Sequence, residues 1–345
     1  MLVLPHRTVT GSVVIEHGRI TEVLPDPRYA DGFDLDGQLL SPGVIDIHTD
    51  YLEKEIHPRP DTDFPLELAF HMMDLRAIGC GVTMVLGAAR VSADSGGPLG
   101  SWTGDGIRLI EEYAELRKTA LGRHLVHVRW DPNFSPCEDQ LARLTQLRPL
   151  IGNLVYNDST PGERQFRNTF QDQVRRYALA RDISLEQAQA FFEERVRRSR
   201  EINNRQQVQA AFGATLLLGS HDDTTIEHVR EAHQRGATLA EMPVTMEAAR
   251  EARRLGMMIC MGAPNYYRGG SHCGNLSCHE ALAAGVVDIL CSEYHFPSLL
   301  GSAVRMMNGG VAPHQALRMM TLDAARHLGL AGELGSIEAG KKADL

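Results

Sequence analysis

The run Asp46-Ile47-His48-Thr49-Asp50 carries the first chemical signal. Successive strand residues point to opposite faces, so Asp46, His48 and Asp50 share one face. Val44, Ile45 and Ile47 supply apolar β-formers around them, Pro42-Gly43 turns the chain just before, and the polar run after Asp50 opens a loop. An imidazole and two carboxylates therefore gather at a strand end. Both groups offer lone pairs at neutral pH without proton competition, so they suit a hard or borderline divalent metal. Taken alone, His-x-Asp on a strand is more often a hydrogen-bonded core pair.

From Val44 onward, apolar β-type runs alternate with helical patterns, the mark of βα units and a parallel sheet. The runs are 44–48, 82–86, 125–130, 151–156, 215–219, 238–242, 257–261 and 288–292, the eight strands that a closed (β/α)8 TIM barrel requires. Helices over 105–118, 224–235 and 245–255 lie between them, with Thr224-Thr225 and Thr245 as caps. The charged segment 169–212 reads as two inserted helices whose interleaved acids and bases mark a solvated face. Before the barrel, two β-rich runs flank His17-Gly18 as a hairpin, and 37–40 adds a short strand. A hairpin needs partners. The expected organisation is a small β-domain from residues 1–41 and 330–345 beside a barrel over 42–329.

Chemistry in such a barrel sits at the C-terminal ends of the strands. His48 and Asp50, Asp131, Asp158, His221-Asp222-Asp223 and Glu293 all follow apolar runs, and strand alternation lets His127, Arg129 and Asp131 face inward together. Their joint placement favours a metal centre over separate buried polar groups. Three basic loops accompany them: Lys54, His57 and Arg59; Arg164 and Arg167; Arg268 with His272 and Asn275. Gly269, Gly270 and Gly274 allow backbone N–H groups to approach an anion, and Tyr266-Tyr267 offers rings to stack on a sugar or base. A single Arg-Gly-Gly is ordinarily a surface turn; three basic loops together favour a phosphorylated small-molecule substrate. His71, His228, His233, His314 and His327 fall in helical patterns and read as packing or surface residues, and the Met-Met pairs as core filler.

With 345 residues, 43% of them hydrophobic and 23% charged, the chain buries a barrel-sized core, and a formal charge of −9 argues against nonspecific nucleic-acid or anionic-membrane binding. The six cysteines form no CxxC pair, and no secretory leader or long apolar run is present, so reduced thiols and a cytoplasmic location are expected.

The segment PGVIDIHTD resembles the first-strand signature of the amidohydrolase superfamily, Pro-Gly-x-Ile-Asp-x-His-x-His, with Asp50 at the second His. Together with HTDYLEKEIHPRP, GSHDDTT, MGAPNYYRGGSHCGN and DILCSEYHFPSLL, it makes the chain similar, from about Gly11 to Leu345, to one branch of that superfamily. This is the PhnM branch of phosphonate-degradation diphosphatases, which hydrolyse α-D-ribose 1-methylphosphonate 5-triphosphate to the 5-phosphate and diphosphate. The resemblance implies a divalent metal, zinc first with manganese or iron as alternatives, as one or two ions. It implies that His48, Asp50 and His221 are ligands, that Asp131 stands where the family has a bridging Glu, and that Glu293 stands where the superfamily keeps a proton-accepting Asp. A homo-oligomer follows by analogy alone.

Two departures stand out. Ser159 occupies a position where the family has His, which weakens or deletes one metal site, because a hydroxyl is a poor zinc ligand. Glu293 carries the base one methylene further than Asp. Three functions stay open: phosphoanhydride hydrolysis in a phosphorylated sugar; C–N hydrolysis as in deacetylases, cyclic amidases or deaminases; and binding of phosphorylated ligands by a paralogue of reduced activity. Because the chain stops at Ala343-Asp344-Leu345, where family members run on, an incomplete small β-domain is expected.

Overall fold

The apolar runs become eight strands in the computed structural model, which describes residues 1–25, 32–59, 62–92, 106–167, 169–271 and 273–345. They are β1 Val44–Thr49, β2 Val82–Val91, β3 Arg123–Trp130, β4 Ile151–Tyr156, β5 Leu218–His221, β6 Ala237–Glu241, β7 Met258–Gly262 and β8 Ile289–Cys291. Each is hydrogen-bonded in parallel to its sequence neighbour. A Thr49–Glu293 bridge joins the last strand to the first and closes the cylinder. At that seam Asp50 N donates to Glu293 O at 2.6 Å and Glu293 N to His48 O at 3.1 Å. The seam thus ties together the three strand-end residues that the sequence singles out.

All of β1 is buried, because helices cover the outside and side chains fill the inside; such a strand reads as a nearly continuous apolar run. Ile45, Ile47, Met84, Leu86, Val155, Leu239 and Cys260 pack within the cylinder. Ala324, Ala325 and Leu334 join this cluster, and Met320 O accepts from Ile45 N at 2.8 Å, so helix Leu322–His327 plugs the N-terminal end. Polar chemistry is left to the opposite mouth.

Helices Gly106–Leu116, Ile226–Gln234 and Met246–Arg254 follow the expected pattern, and Thr225 and Thr245 cap the last two by accepting from His228 N and Ala248 N. The insertion holds three helices rather than the expected two: Phe170–Arg181, Leu185–Glu201 and Arg205–Phe212. Asn204 explains the extra break. Its buried amide accepts from Trp130 Nε1 at 2.7 Å and donates to Phe134 O at 2.9 Å, contacts that fix it at a helix boundary.

Strands over 12–16 and 19–24 pair as the hairpin. The C-terminal segment returns to it: Gly340 N donates to Ile20 O, Ile20 N to Lys341 O and Ala343 N to Gly18 O. Residues 37–40 are not a strand; Leu40 alone bridges Leu2. Among the described residues, no helix is long and apolar enough to cross a membrane, and all six cysteines are free, with Cys80 part-buried, Cys273 exposed and the others buried.

Candidate metal centre and its cavity

Three strand ends bring His48 from β1, His221 from β5 and Glu241 from β6 together, with donor atoms all within 4.8 Å of one another. Glu241 is the hub. Its Oε2 shares a hydrogen bond with His221 Nδ1 at 2.7 Å and lies 3.4 Å from His127 Nε2; its Oε1 lies 2.9 Å from His48 Nδ1, close but outside hydrogen-bonding geometry. The His48 ring stacks on His221 at 5.6 Å and tilts against His127 at 4.4 Å. Asp50 lies at the edge, with Oδ2 3.6 Å from His48 Nε2 and Oδ1 accepting from Arg129 Nη1 at 2.9 Å. Arg129 is held in turn by Asn157, whose amide oxygen, turned toward it, accepts from Nε at 2.9 Å and Nη2 at 3.1 Å.

This donor set fits a divalent ion. His48 Nδ1, both ring nitrogens of His127 and Glu241 Oε1 are buried without a hydrogen-bond partner. Each such orphan costs about 1–3 kcal/mol. A group of them converging on one point is explained by a cation that takes their lone pairs, and two imidazoles with one carboxylate is a set that zinc accepts.

The electrostatics point the same way. Burial lowers the His48 and His221 imidazoles, but nearby carboxylates outweigh it: Glu241 and Asp50 hold His48 well above its ordinary value, and Asp222 and Glu241 lift His221 to about 9. A site that favours a proton on each ring is a site of strong negative potential. Burial lowers His127 to about 3, so it stays neutral. Burial likewise opposes the charge on Asp50, yet Arg129 and His48 keep it ionised, well below the usual carboxylate range. Burial raises Glu293 to about 7 and Asp46 to about 6; Asp46 Oδ1 accepts from Ser292 N at 2.9 Å and so braces the seam.

A cavity of about 460 Å³ opens over this centre, lined by His48, Asp50, Arg129, His221, Glu293 and Arg268 among others. The space for the Glu293 side chain comes from Gly262, where a methyl group would collide with Glu293 Oε2. Three residues that follow or end strands here, Asp222, Met242 and Glu293, have left-handed backbone, with φ of 58°, 53° and 56°. Strain of this kind persists where the surrounding structure over-determines it, and it clusters at functional sites.

Several expected residues lie elsewhere. Asp131 is not at the centre: its carboxylate turns to Arg90 Nη2 at 3.6 Å and accepts from Asn133 N at 2.9 Å, while Glu241 occupies the central place. Arg164 is not a free anion-binding group. It is buried, with Nη1 2.5 Å from Asp223 Oδ1 and Nε 3.6 Å from Asp158 Oδ2. Arg59 is exposed and does not line the cavity; neither does Lys54, whose Nζ donates to Tyr294 O at 2.8 Å. Arg268 and Asn275 do line it, Arg268 donating to Tyr294 Oη at 3.4 Å and Asn275 accepting from Arg167. His272 lies outside the described residues. Glu241 escaped the sequence reading although the strand-end rule selects it: it terminates an apolar run as His221 does, and only a motif containing no histidine hid it.

Comparison with known proteins agrees with this geometry. Residues 200–345 match the Amidohydrolase family. The chain is 34% identical over 357 residues to alpha-D-ribose 1-methylphosphonate 5-triphosphate diphosphatase of Escherichia coli (strain K12), a match spanning 100% of this chain and 92% of that protein. Similar solved structures include dihydropyrimidinase from Brevibacillus agri, with TM-score 0.60, 14% identity and 99% and 83% of the two chains covered. N-acetylglucosamine-6-phosphate deacetylase from Pasteurella multocida superposes with TM-score 0.56 at 14% identity, covering 99% and 92%. These two establish the fold alone. The closed barrel, the His and Glu donors at its mouth and the full-length identity together make this chain a hydrolase of the amidohydrolase superfamily, in the PhnM-like group.

Proposed function

We propose that the chain hydrolyses a phosphoanhydride in a phosphorylated sugar, as its Escherichia coli relative's name describes, releasing diphosphate from a ribose 5-triphosphate ester. The observation that carries this reading is a cavity lined by His48, His221, Glu293 and the cations Arg129 and Arg268, with the Glu241 donor buried beside the two histidines. A divalent ion, zinc by donor type, would be held by His48, His221 and Glu241 with Asp50 at its edge; it supplies Lewis acidity, lowering the pKa of water and neutralising phosphoryl charge.

Glu293 is the proton acceptor. Its carboxyl is raised to about 7, so it is part-ionised at neutral pH and strong enough as a base to take a proton from the attacking water. The water oxygen bonds to the α-phosphorus, the bond to the bridging oxygen breaks, and diphosphate leaves. Arg268 and Arg129 face the charge that gathers on the phosphate oxygens. Asn275, which lines the cavity beside Arg268, completes the proposed contacts to substrate.

The test offers the zinc-loaded protein a ribosyl 5-triphosphate, a nucleoside triphosphate, and cyclic and acetylated amides side by side. Diphosphate release, reduced about 10²- to 10⁴-fold in Glu293→Gln with metal content unchanged, is the expected result. Hydrolysis of the amides without phosphate or diphosphate release would assign the chain to C–N chemistry instead, and tight binding of the triphosphate without any turnover would make it a binding paralogue.

A further inference from the structure

Beside the main cavity a second, smaller concavity opens at the same mouth, between the ends of β2, β3 and β4 and the inserted helix Leu185–Glu201. Its lining includes Asp131, Phe134, Ser159, Arg195 and Arg198, and Arg90 reaches Ser159 from the end of β2. Two of these arginines meet at Ser159. Arg90 Nη2 donates to Ser159 Oγ at 2.9 Å and Arg195 Nη2 approaches the same oxygen at 3.5 Å. Two guanidinium groups thus converge on one neutral oxygen, which has lone pairs for both but no charge to offset either.

Among the described residues the charge here is only partly matched. Among the described residues Asp131 is the carboxylate that faces this group: its Oδ2 lies 3.6 Å from Arg90 Nη2 and its charge also acts on Arg195, while Arg195 and Arg198 make no close ion pair, so three guanidinium groups face one carboxylate. Elsewhere on the same helix, Arg197 is paired twice, with Glu194 and Glu201 at 2.7 Å each. In the neighbouring cluster, Arg164 and Arg205 share Asp158 and Asp223. Like charges gathered at a part-buried rim repel by an amount that a dianion removes, and the guanidinium fork matches the oxygens of a tetrahedral phosphorus group. Arg90 and Arg129 are close enough for their charges to oppose each other, and Arg129 lines the main cavity.

We propose that Arg90, Arg195, Arg198 and the Ser159 hydroxyl form an oxyanion pocket that takes a phosphate or phosphonate group, namely the second anionic group of a substrate whose phosphate chain lies in the main cavity. On this assignment Ser159 is a donor and spacer for an anion. A histidine at that position would fill the space between the two guanidinium groups. The inserted helix then contributes Arg195 and Arg198 to substrate recognition. The pocket rests on the phosphoester reading above only for the molecule that carries the anion.

Binding is therefore measured without turnover, by titrating inorganic phosphate, methylphosphonate and the bis-anionic product, a ribose carrying both a methylphosphonate and a 5-phosphate, into the protein with and without bound metal. Phosphate and methylphosphonate are expected to compete for a site that persists in the metal-free protein, with affinity falling about tenfold in Arg195→Gln and in Arg198→Gln but not in Arg197→Gln. The bis-anion is expected to bind about tenfold more tightly than phosphate and to lose that advantage in the same two variants. An equal loss in Arg197→Gln, or no saturable phosphate binding up to about 20 mM, overturns the pocket. Loss of phosphate but not bis-anion affinity overturns the substrate assignment and makes it a site for free phosphate. Should Arg195→Gln not fold, Arg198→Gln at the rim gives the reading. Failure of the phosphoanhydride reading would show as absence of diphosphate release while these titrations stand.

Discussion

Two buried polar clusters share the mouth of this barrel, and they are built on opposite principles. Around Arg164, two guanidinium groups meet two carboxylates: Arg164 contacts Asp223 at 2.5 Å and Asp158 at 3.6 Å, and Arg205 reaches Asp158 at 3.3 Å. Asp158 also accepts from Thr160 Oγ1 at 2.6 Å and from Asn133 Nδ2 at 2.7 Å. Charge is balanced and nearly every donor has an acceptor. Around Glu241, one buried carboxylate faces three imidazoles while Asp50 and Asp222 approach His48 and His221 from the outer side, four ring or carboxylate atoms have no hydrogen-bond partner, and the backbone at Asp222, Met242 and Glu293 is left-handed. Paired donors and acceptors mark a structural cluster; converging atoms without partners mark a site that awaits a ligand.

The largest effect that would break this comparison is expected from His221→Ala. It removes one of the three central donors, so metal content measured by elemental analysis is expected to fall from about one ion per chain to below a tenth, and hydrolysis by about 10³-fold or more. Full metal retention would move the centre elsewhere. Arg164→Ala attacks the other cluster. It leaves Asp158 and Asp223 buried without their shared cation, at an expected cost of about 3–5 kcal/mol in urea unfolding, while metal content per folded chain stays at the wild-type level. A fall in metal content without a stability loss would erase the distinction between the clusters.

At the plugged end, His327 provides a control that belongs to neither cluster. Burial lowers its imidazole to about 4 against an unfolded value near 6.5. The unfolded chain therefore binds more protons between those values, and stability falls as pH drops from about 6.5 to 4, by about 3 kcal/mol from this residue. Unfolding free energies of His327→Gln are expected to lack that part of the acid slope, and an unchanged slope would refute it. By contrast, Arg164 and Arg205 outweigh the burial of Asp158 and hold its carboxyl below the usual range, so its contribution persists until the pH falls below about 4. The smallest expected effect is at Gly262→Ala. The added methyl group displaces Glu293, lowering kcat about 10²-fold with KM, metal content and melting temperature near wild type. An unaltered kcat would show that Glu293 needs no such space.

The eight strands were legible because each is buried on both faces and so writes itself as a contiguous apolar run; all eight appear where those runs lie. The site was legible in part. His48 and His221 end their strands and meet across the barrel, as their placement after apolar runs implies. Asp131 ends its strand too, yet turns away to Arg90, and Glu241 takes the central place. A strand-end position fixes which end of the barrel a residue occupies, but the shear of the closed sheet decides which ends face one another. Arg164 shows the same limit from the side of charge. In sequence it stands in a basic loop, PGERQFRN, and in space it stands between Asp158 and Asp223, which lie 6 and 59 positions away.

The sequence by itself determined the number and order of the strands, the barrel they close into, the end that carries polar residues and the two histidines at its centre, since these follow from local apolar periodicity and short motifs. Only the tertiary structure decided which carboxylate completes the donor set, which arginines are already neutralised, and where, among the described residues, they outnumber the carboxylates that face them. Those are properties of distances between separate strands, and an arginine has the same letter whether or not a carboxylate folds back upon it.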